Sequence, residues 1–330
     1  QHHTEDVRAY VAYALRPSRE RVRRLSLAYE RQLDEFSDLR IRPGYRAVPV
    51  ADREISAALI GFDYRNLDFR RYSGVMTFDR VEDINHGWEW FAEAGPSLKS
   101  MGATRDGAFG RFQIQKILGW GERMLWFNHL DMNGRVESKT LRNGVMRLRS
   151  EAFLLDWRPK NTAILRGEWI SSHNLDAENQ FLLGGENGLR AYPARQFAGS
   201  NSLIVSLENR RVVVHDWLRL VSVGWAVFAD AGAAWERHRA LRMSEVKSDL
   251  GAGIRFAPSR SVDPGIIRVD LAYALQDNDS SSRLALNIVV NYEEGTEKTY
   301  AMGDGQNDIL HEIPFLLEGH RDLAVESVYE

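Results

Sequence analysis

The residues best placed to do chemistry are one arginine and two carboxylates: Arg190, Glu208 and Asp230. Arg190 stands in "LLGGENGLRAY", between a glycine pair and an aromatic, and the carboxylates follow on two later stretches, "SLIVSLENR" and "GWAVFADAG". Side chains alternate across a strand, so Leu203, Val205 and Leu207 share one face of the first stretch while Ser206 and Glu208 share the other. In the second stretch Phe228 and Asp230 oppose Trp225 and Val227 by the same parity. An arginine carried to the polar face on a loop meets both carboxylates. Its forked, permanently charged guanidinium bridges them better than one lysine could. The chemistry implied is an ion-pair lock that fixes a loop, and no catalytic dyad is expected.

Enzyme signatures are absent from the sequence. There is no G-x-S-x-G, Walker A or H-E-x-x-H run, and "GGENG" contains no nucleophile. The chain has 0 cysteines, which removes thiolate catalysis, cysteine zinc sites and disulfides. Its 9 histidines do not pair at metal-ligand spacing, so neither a metal nor a cofactor is expected. The 43 basic and 46 acidic residues are interleaved, with a net charge of -3, and form no basic stripe for nucleic acid. No apolar run is long enough for a membrane-spanning helix, a test that does not bear on a barrel.

The elements that must position these residues are strands. Period-two alternation marks "RLSLAYE", "VMRLRSEAFLL", "AILRGEWI", "DLGAGIRFAP", "IIRVDLAYAL" and "RLALNIVVNY", besides the two stretches above. Weaker candidates lie near Val7, Ile55, Val75, Trp88, Phe112 and Trp126. The pieces "DMNGR", "DWRPKNT" and "QDNDSSS" read as turns, and 39–54 as a long external loop. The sum is an all-β meander.

Alternation alone fits a soluble sandwich or binding protein as well as a membrane barrel. Charged series such as Arg147, Arg149 and Glu151 suit a water-filled lumen, and Trp169, Trp225, Tyr273 and Tyr292 end the apolar face as an interfacial girdle would. So many strands also favour closure over one open, twisted sheet. The expected fold is a closed antiparallel transmembrane β-barrel of about 14 to 16 strands with a long loop folded into the lumen. It covers 1–293, and the acidic segment 294–330 is expected to be a tail, plug or partner-binding segment.

From Phe181 to Tyr292 the chain resembles the bacterial surface antigen family, the BamA/TamA-type outer-membrane assembly proteins and their two-partner-secretion relatives. In that family an inserted loop carries a Val/Ile-Arg-Gly-Phe/Tyr tip after a Gly-Gly approach, matched here by Gly184, Gly185, Leu189, Arg190, Ala191 and Tyr192. The family's inward acidic residue is matched by Glu208, and its Phe-x-Asp-x-Gly by Phe228, Asp230 and Gly232. Ala191 replaces the motif's usual glycine, which argues against a positive φ there.

The resemblance implies a lumen loop locked by Arg190, Glu208 and Asp230, with Phe228, Gly232 and Tyr192 letting it pack and Gly184 and Gly185 letting the backbone turn. It implies protein translocation or membrane assembly at the bacterial outer membrane. Its partners would be outer-membrane lipid and lipopolysaccharide, a client β-barrel or secreted protein, and accessory subunits through the tail. Two other readings stay open at this level: a structural or accessory barrel anchoring a complex without insertase activity, and a passive pore.

Overall fold

A computed structural model describes residues 2–16, 18–36, 51–75, 80–259, 266–276, 283–291 and 297–302. The strands are β1 (His2–Ala14), β2 (Arg21–Phe36), β3 (Arg53–Asn66), β4 (Phe69–Ser73), β5 (Val81–Asn85), β6 (Trp88–Ser97), β7 (Gly107–Trp120), β8 (Met124–Glu137) and β9 (Thr140–Arg158). They continue as β10 (Asn161–His173), β11 (Phe181–Leu183), β12 (Phe197–Gly199), β13 (Asn201–Trp217), β14 (Val221–Trp235), β15 (Lys247–Pro258), β16 (Ile266–Ala274), β17 (Leu284–Asn291) and β18 (Glu297–Met302). Among the described residues there is no α-helix, and no helix is long and apolar enough to cross a membrane.

One 14-stranded antiparallel meander takes the order β1-β2-β3-β6-β7-β8-β9-β10-β13-β14-β15-β16-β17-β18. The short pairs β4–β5 and β11–β12 stand outside it as separate ribbons. Among the described residues the ladder runs from β1 to β18 with no pairing between those two.

Strand alternation sorts the side chains as expected. Glu208 is 3% exposed and its neighbour Leu207 55%; Asp270 is 1% exposed and its neighbour Leu271 48%. One face therefore buries charge and the other displays leucine, valine and isoleucine. The charged face is also curled inward. Neighbouring strands lie about 4.8 Å apart, so β1 and β6 would stand about 14 Å apart in a flat sheet. Yet Arg8 of β1 meets Glu93 of β6 at 2.7 Å. Farther round, Arg53 of β3 meets Asp176 at 2.9 Å and Glu178 at 2.6 Å, just beyond the end of β10.

Several sequence expectations change. "DMNGR" is no turn: it lies within β8, where the pairing with β9 shifts between Asn133 and Arg135. The reversal comes instead at Ser138 and Lys139, with φ of 49° and 63°, the two successive positive values that a type I′ hairpin needs. The strand expected near Val75 is β4, which ends at Ser73, and Val75 itself lies in the bend that follows. Of the loop expected over 39–54, Arg53 and Glu54 already belong to β3, and 37–50 lie outside the described residues. Tyr292, 277–282 and 303–330 also lie outside them. Part of the expected tail is strand, because β18 pairs with β17 from Leu286↔Met302 to Asn291↔Glu297.

Candidate functional site

The segment between β10 and β13 leaves the sheet as the β11–β12 ribbon, with Phe181 opposite Gly199 and Leu183 opposite Phe197. Its tip is tied by its own backbone: Leu189 N–H donates to the Gly184 carbonyl at 3.0 Å and Tyr192 N–H to the Leu189 carbonyl at 2.9 Å. Asn187 adds a side-chain tie, its Oδ1 accepting from Gly184 N–H at 2.9 Å. A compact tip costs less entropy to seat than a free one.

Gly184 and Gly185 serve this tip by close approach. The backbone turns at this pair as expected, with Asn187 N–H and Leu189 N–H both donating to the Gly184 carbonyl, although neither glycine takes a positive φ. A Cβ on Gly184 would stand 2.2 Å from the Pro193 carbonyl oxygen, and one on Gly185 2.6 Å from that of Tyr192. The positive φ falls on Gly188, at 117°. Ala191 takes none, so the alanine fits its backbone without strain.

Leu189, Ala191 and Tyr192 pack with Leu183, Phe228, Ala272 and Ala274 in one buried cluster. The Tyr192 ring meets Phe197 edge-on at 5.4 Å. Its hydroxyl lies 3.1 Å from the Ser248 carbonyl and 3.0 Å from Gln276 Oε1. The apolar residues thus press the loop onto the sheet and leave Arg190 facing the buried charges.

Arg190 reaches all the residues expected of it. Its Nη1 lies 3.2 Å from Glu208 Oε2, and its Nε 3.1 Å from Asp230 Oδ2. Its guanidinium carbon sits 3.7 Å from the centroid of the Phe228 ring. Gly232 lies two residues beyond Asp230 along β14, where a Cβ would stand 2.9 Å from the Leu203 carbonyl oxygen.

The site is larger than the sequence motif. Arg190 Nη1 also meets Asp270 Oδ2 at 3.1 Å, and Nη2 lies 3.3 Å from Ser206 Oγ. A second guanidinium, Arg255, meets Glu208 Oε2 at 3.1 Å and also pairs with Asp270. The backbone is held too: Ala191 N–H donates to Asp249 Oδ2 at 3.1 Å, and Asn287 Nδ2 donates to the Arg190 carbonyl. One loop tip is thereby tied to five consecutive strands, β13 to β17.

Register explains how these groups converge. Phe228 pairs with Gly251 and Asp270 with Gly253, so two glycines of β15 stand between the carboxylates of β13–β14 and that of β16. A Cβ at Gly251 would come within 2.4 Å of the Phe228 ring, and one at Gly253 within 1.9 Å of Asp270 Oδ1. Bare backbone at both positions makes the trough that the ring and the carboxylate occupy.

The loop is also held at its base. Arg135 of β8 grips Asp176 through two bonds of 2.6 Å, and Arg53 of β3 meets both Asp176 and Glu178. Asp270, Arg255, Asp249, Ser206 and Asn287 extend the site on the sheet, and Arg53, Arg135, Asp176 and Glu178 add a second fastening. Asp270 and Arg255 stand on the inward parity of their strands, a signal visible in "IIRVDLAYAL" and "DLGAGIRFAP".

These buried pairs do not by themselves stabilise the fold, because desolvating each ion costs several kcal/mol. They specify where the loop sits, since removing one partner strands the others. Among the described residues no cluster of histidine, aspartate and glutamate is arranged to hold a metal. The site is a set of mutually paired charges, two guanidinium groups among three carboxylates, packed beneath an apolar loop tip. No protein-family model matches the chain, and no curated protein matches it.

Proposed function

We propose that this chain forms a transmembrane β-barrel of the bacterial outer membrane that helps insert or export β-rich client proteins. The observation that carries the reading is the seating of Arg190 among Glu208, Asp230 and Asp270, on a loop folded back over the inner face. The outward faces support it: Leu207, Val227, Leu250, Ile254 and Leu271 are all exposed on neighbouring strands. Such a continuous apolar surface is a liability in water and is satisfied by acyl chains. In lipid an open edge leaves backbone groups without partners, so closure of the sheet belongs to this proposal.

In this reading the lock has a mechanical role. It holds the inner loop against β13 to β17 and keeps that half of the wall rigid, while a weakly closed seam between the first and last strands opens. A client strand then pairs with the free edge by β-augmentation, its backbone taking the hydrogen bonds the edge offers. Lipopolysaccharide and outer-membrane lipid surround the wall.

The test is fractionation of the full chain with outer membranes and heat-modifiable gel migration, followed by depletion. The proposal expects other β-rich outer-membrane proteins to fall. A stable stoichiometric complex whose depletion leaves them unchanged would instead identify an accessory barrel, and extraction without detergent would overturn the membrane reading.

A further inference from the structure

A second element folds over the inner face, from the end opposite the Arg190 loop. The β4–β5 ribbon is inserted between β3 and β6, where a short turn would suffice to join neighbouring antiparallel strands. Tyr72, Val75 and Ile84 turn into a buried cluster with Ile117 of β7, Leu125 of β8, Phe153 of β9 and Ile164 of β10. Val75 is 0% exposed. Tyr72 stacks on His86, the residue that follows β5, at 5.5 Å.

The ribbon also reaches far beyond its covalent neighbours. Arg210 of β13, itself buried, donates to the Gly74 carbonyl at 2.7 Å and to the Val75 carbonyl. Arg80 donates to the Pro258 carbonyl at the end of β15, at 3.1 Å. A ribbon rooted between the third and fourth strands of the sheet thus touches the ninth and the eleventh. It crosses the inner face from one side to the other. A guanidinium committed to two backbone carbonyls is a specific fastening, because both carbonyls lie at the bend that ends β4.

We infer that the β4–β5 hairpin is a plug, with Arg210 as its latch, sealing the interior to ions and small solutes at the end opposite the Arg190 loop. The inference rests on the barrel reading above. Where the ribbon packs on β7 to β10 the contact is made by tyrosine, valine, isoleucine, leucine and phenylalanine, and an apolar constriction blocks ions by excluding water. The lock and the plug pack on different parts of the sheet, Arg190 and its tip on β13 to β17 and the ribbon on β7 to β10. Among the described residues they share only β13, through Arg210, and β15, through the Pro258 carbonyl.

The test is ion conductance of the full-length chain in planar bilayers. Three proteins are compared: the parent, Arg210→Met, and a variant with 69–85 replaced by a short glycine-serine turn. Heat-modifiable migration is checked for each. The inference expects a nearly silent parent, a rise of about tenfold or more in the shortened variant and a smaller rise in Arg210→Met. Asp83→Ala, on the exposed side of the same ribbon, should stay silent. If the shortened chain does not fold, Arg210→Met decides alone, since it keeps the length and stem of the side chain. An inserted, heat-modifiable Arg210→Met or shortened variant with parental conductance overturns the plug and leaves the barrel standing. A parent that never enters a bilayer fails the barrel reading and the plug together.

Discussion

Arg190 and Phe228 are stacked: the guanidinium carbon lies 3.7 Å from the centroid of the ring, while the same guanidinium meets Asp230, two residues along that strand. The aromatic face and the carboxylate act on one cation from one strand, and the ring shields the ion pair from water. Phe228→Leu removes the π-face but keeps an apolar side chain. The expected loss is about 0.5–2 kcal/mol in loop seating. Limited proteolysis between 184 and 196 checks it, with faster cleavage in the variant and unchanged strand content by circular dichroism.

Arg190→Ala takes the guanidinium away from Asp230 and leaves Glu208 and Asp270 paired with Arg255, and breaking such a network by one partner costs about 3–5 kcal/mol. Arg190→Lys should recover little of it, because an ammonium lacks the fork that spans three carboxylates. Denaturant unfolding in detergent measures both. A lysine variant as robust as the parent would mean that charge alone, and not fork geometry, seats the loop.

The glycine trough predicts a position-specific penalty. Gly253→Ala brings a Cβ against Asp270 Oδ1 and the Val269 carbonyl oxygen, and Gly251→Ala brings one against the Leu271 carbonyl oxygen as well as Phe228. Each should cost roughly 1–3 kcal/mol by overpacking. At Gly167, on β10, the nearest atom to an added Cβ is the Ile204 carbonyl oxygen at 3.9 Å, so Gly167→Ala should be close to neutral. Thermal unfolding of the three variants side by side reads the difference.

Ala191→Gly restores the residue that the resembling family carries, yet no benefit is expected. Residue 191 takes no positive φ, so glycine relieves no strain and adds freedom to the unfolded chain, a loss of about 0.5–1 kcal/mol. Unfolding midpoints compare the two proteins directly, and a more stable glycine variant would contradict the backbone geometry at the tip.

The inner face was legible in the sequence because strand parity is local. Glu208 and Asp230 point inward whatever their neighbours do, and the glycine-rich approach to Arg190 marked the loop. Asp270 and Arg255 were missed although they share that parity. Which inward charges meet depends on register across four strands, such as Asp230 opposite Asp249 and Gly253 opposite Asp270, and no single stretch encodes it. "DMNGR" misled for a related reason: Asn-Gly is a strong local turn signal, but here the longer pairing of β8 with β7 and β9 overrides it. The β4–β5 ribbon has strands of 5 residues each, too short to show a period, and its role comes entirely from tertiary contact.

We propose that the loop locked by Arg190 serves the assembly of other β-rich proteins. The most direct test is the abundance of folded outer-membrane proteins in cells depleted of this chain and complemented with either the parent or Arg190→Ala at equal membrane levels. The parent is expected to restore them and Arg190→Ala to leave them low. Full restoration by Arg190→Ala, or no fall on depletion, would contradict it.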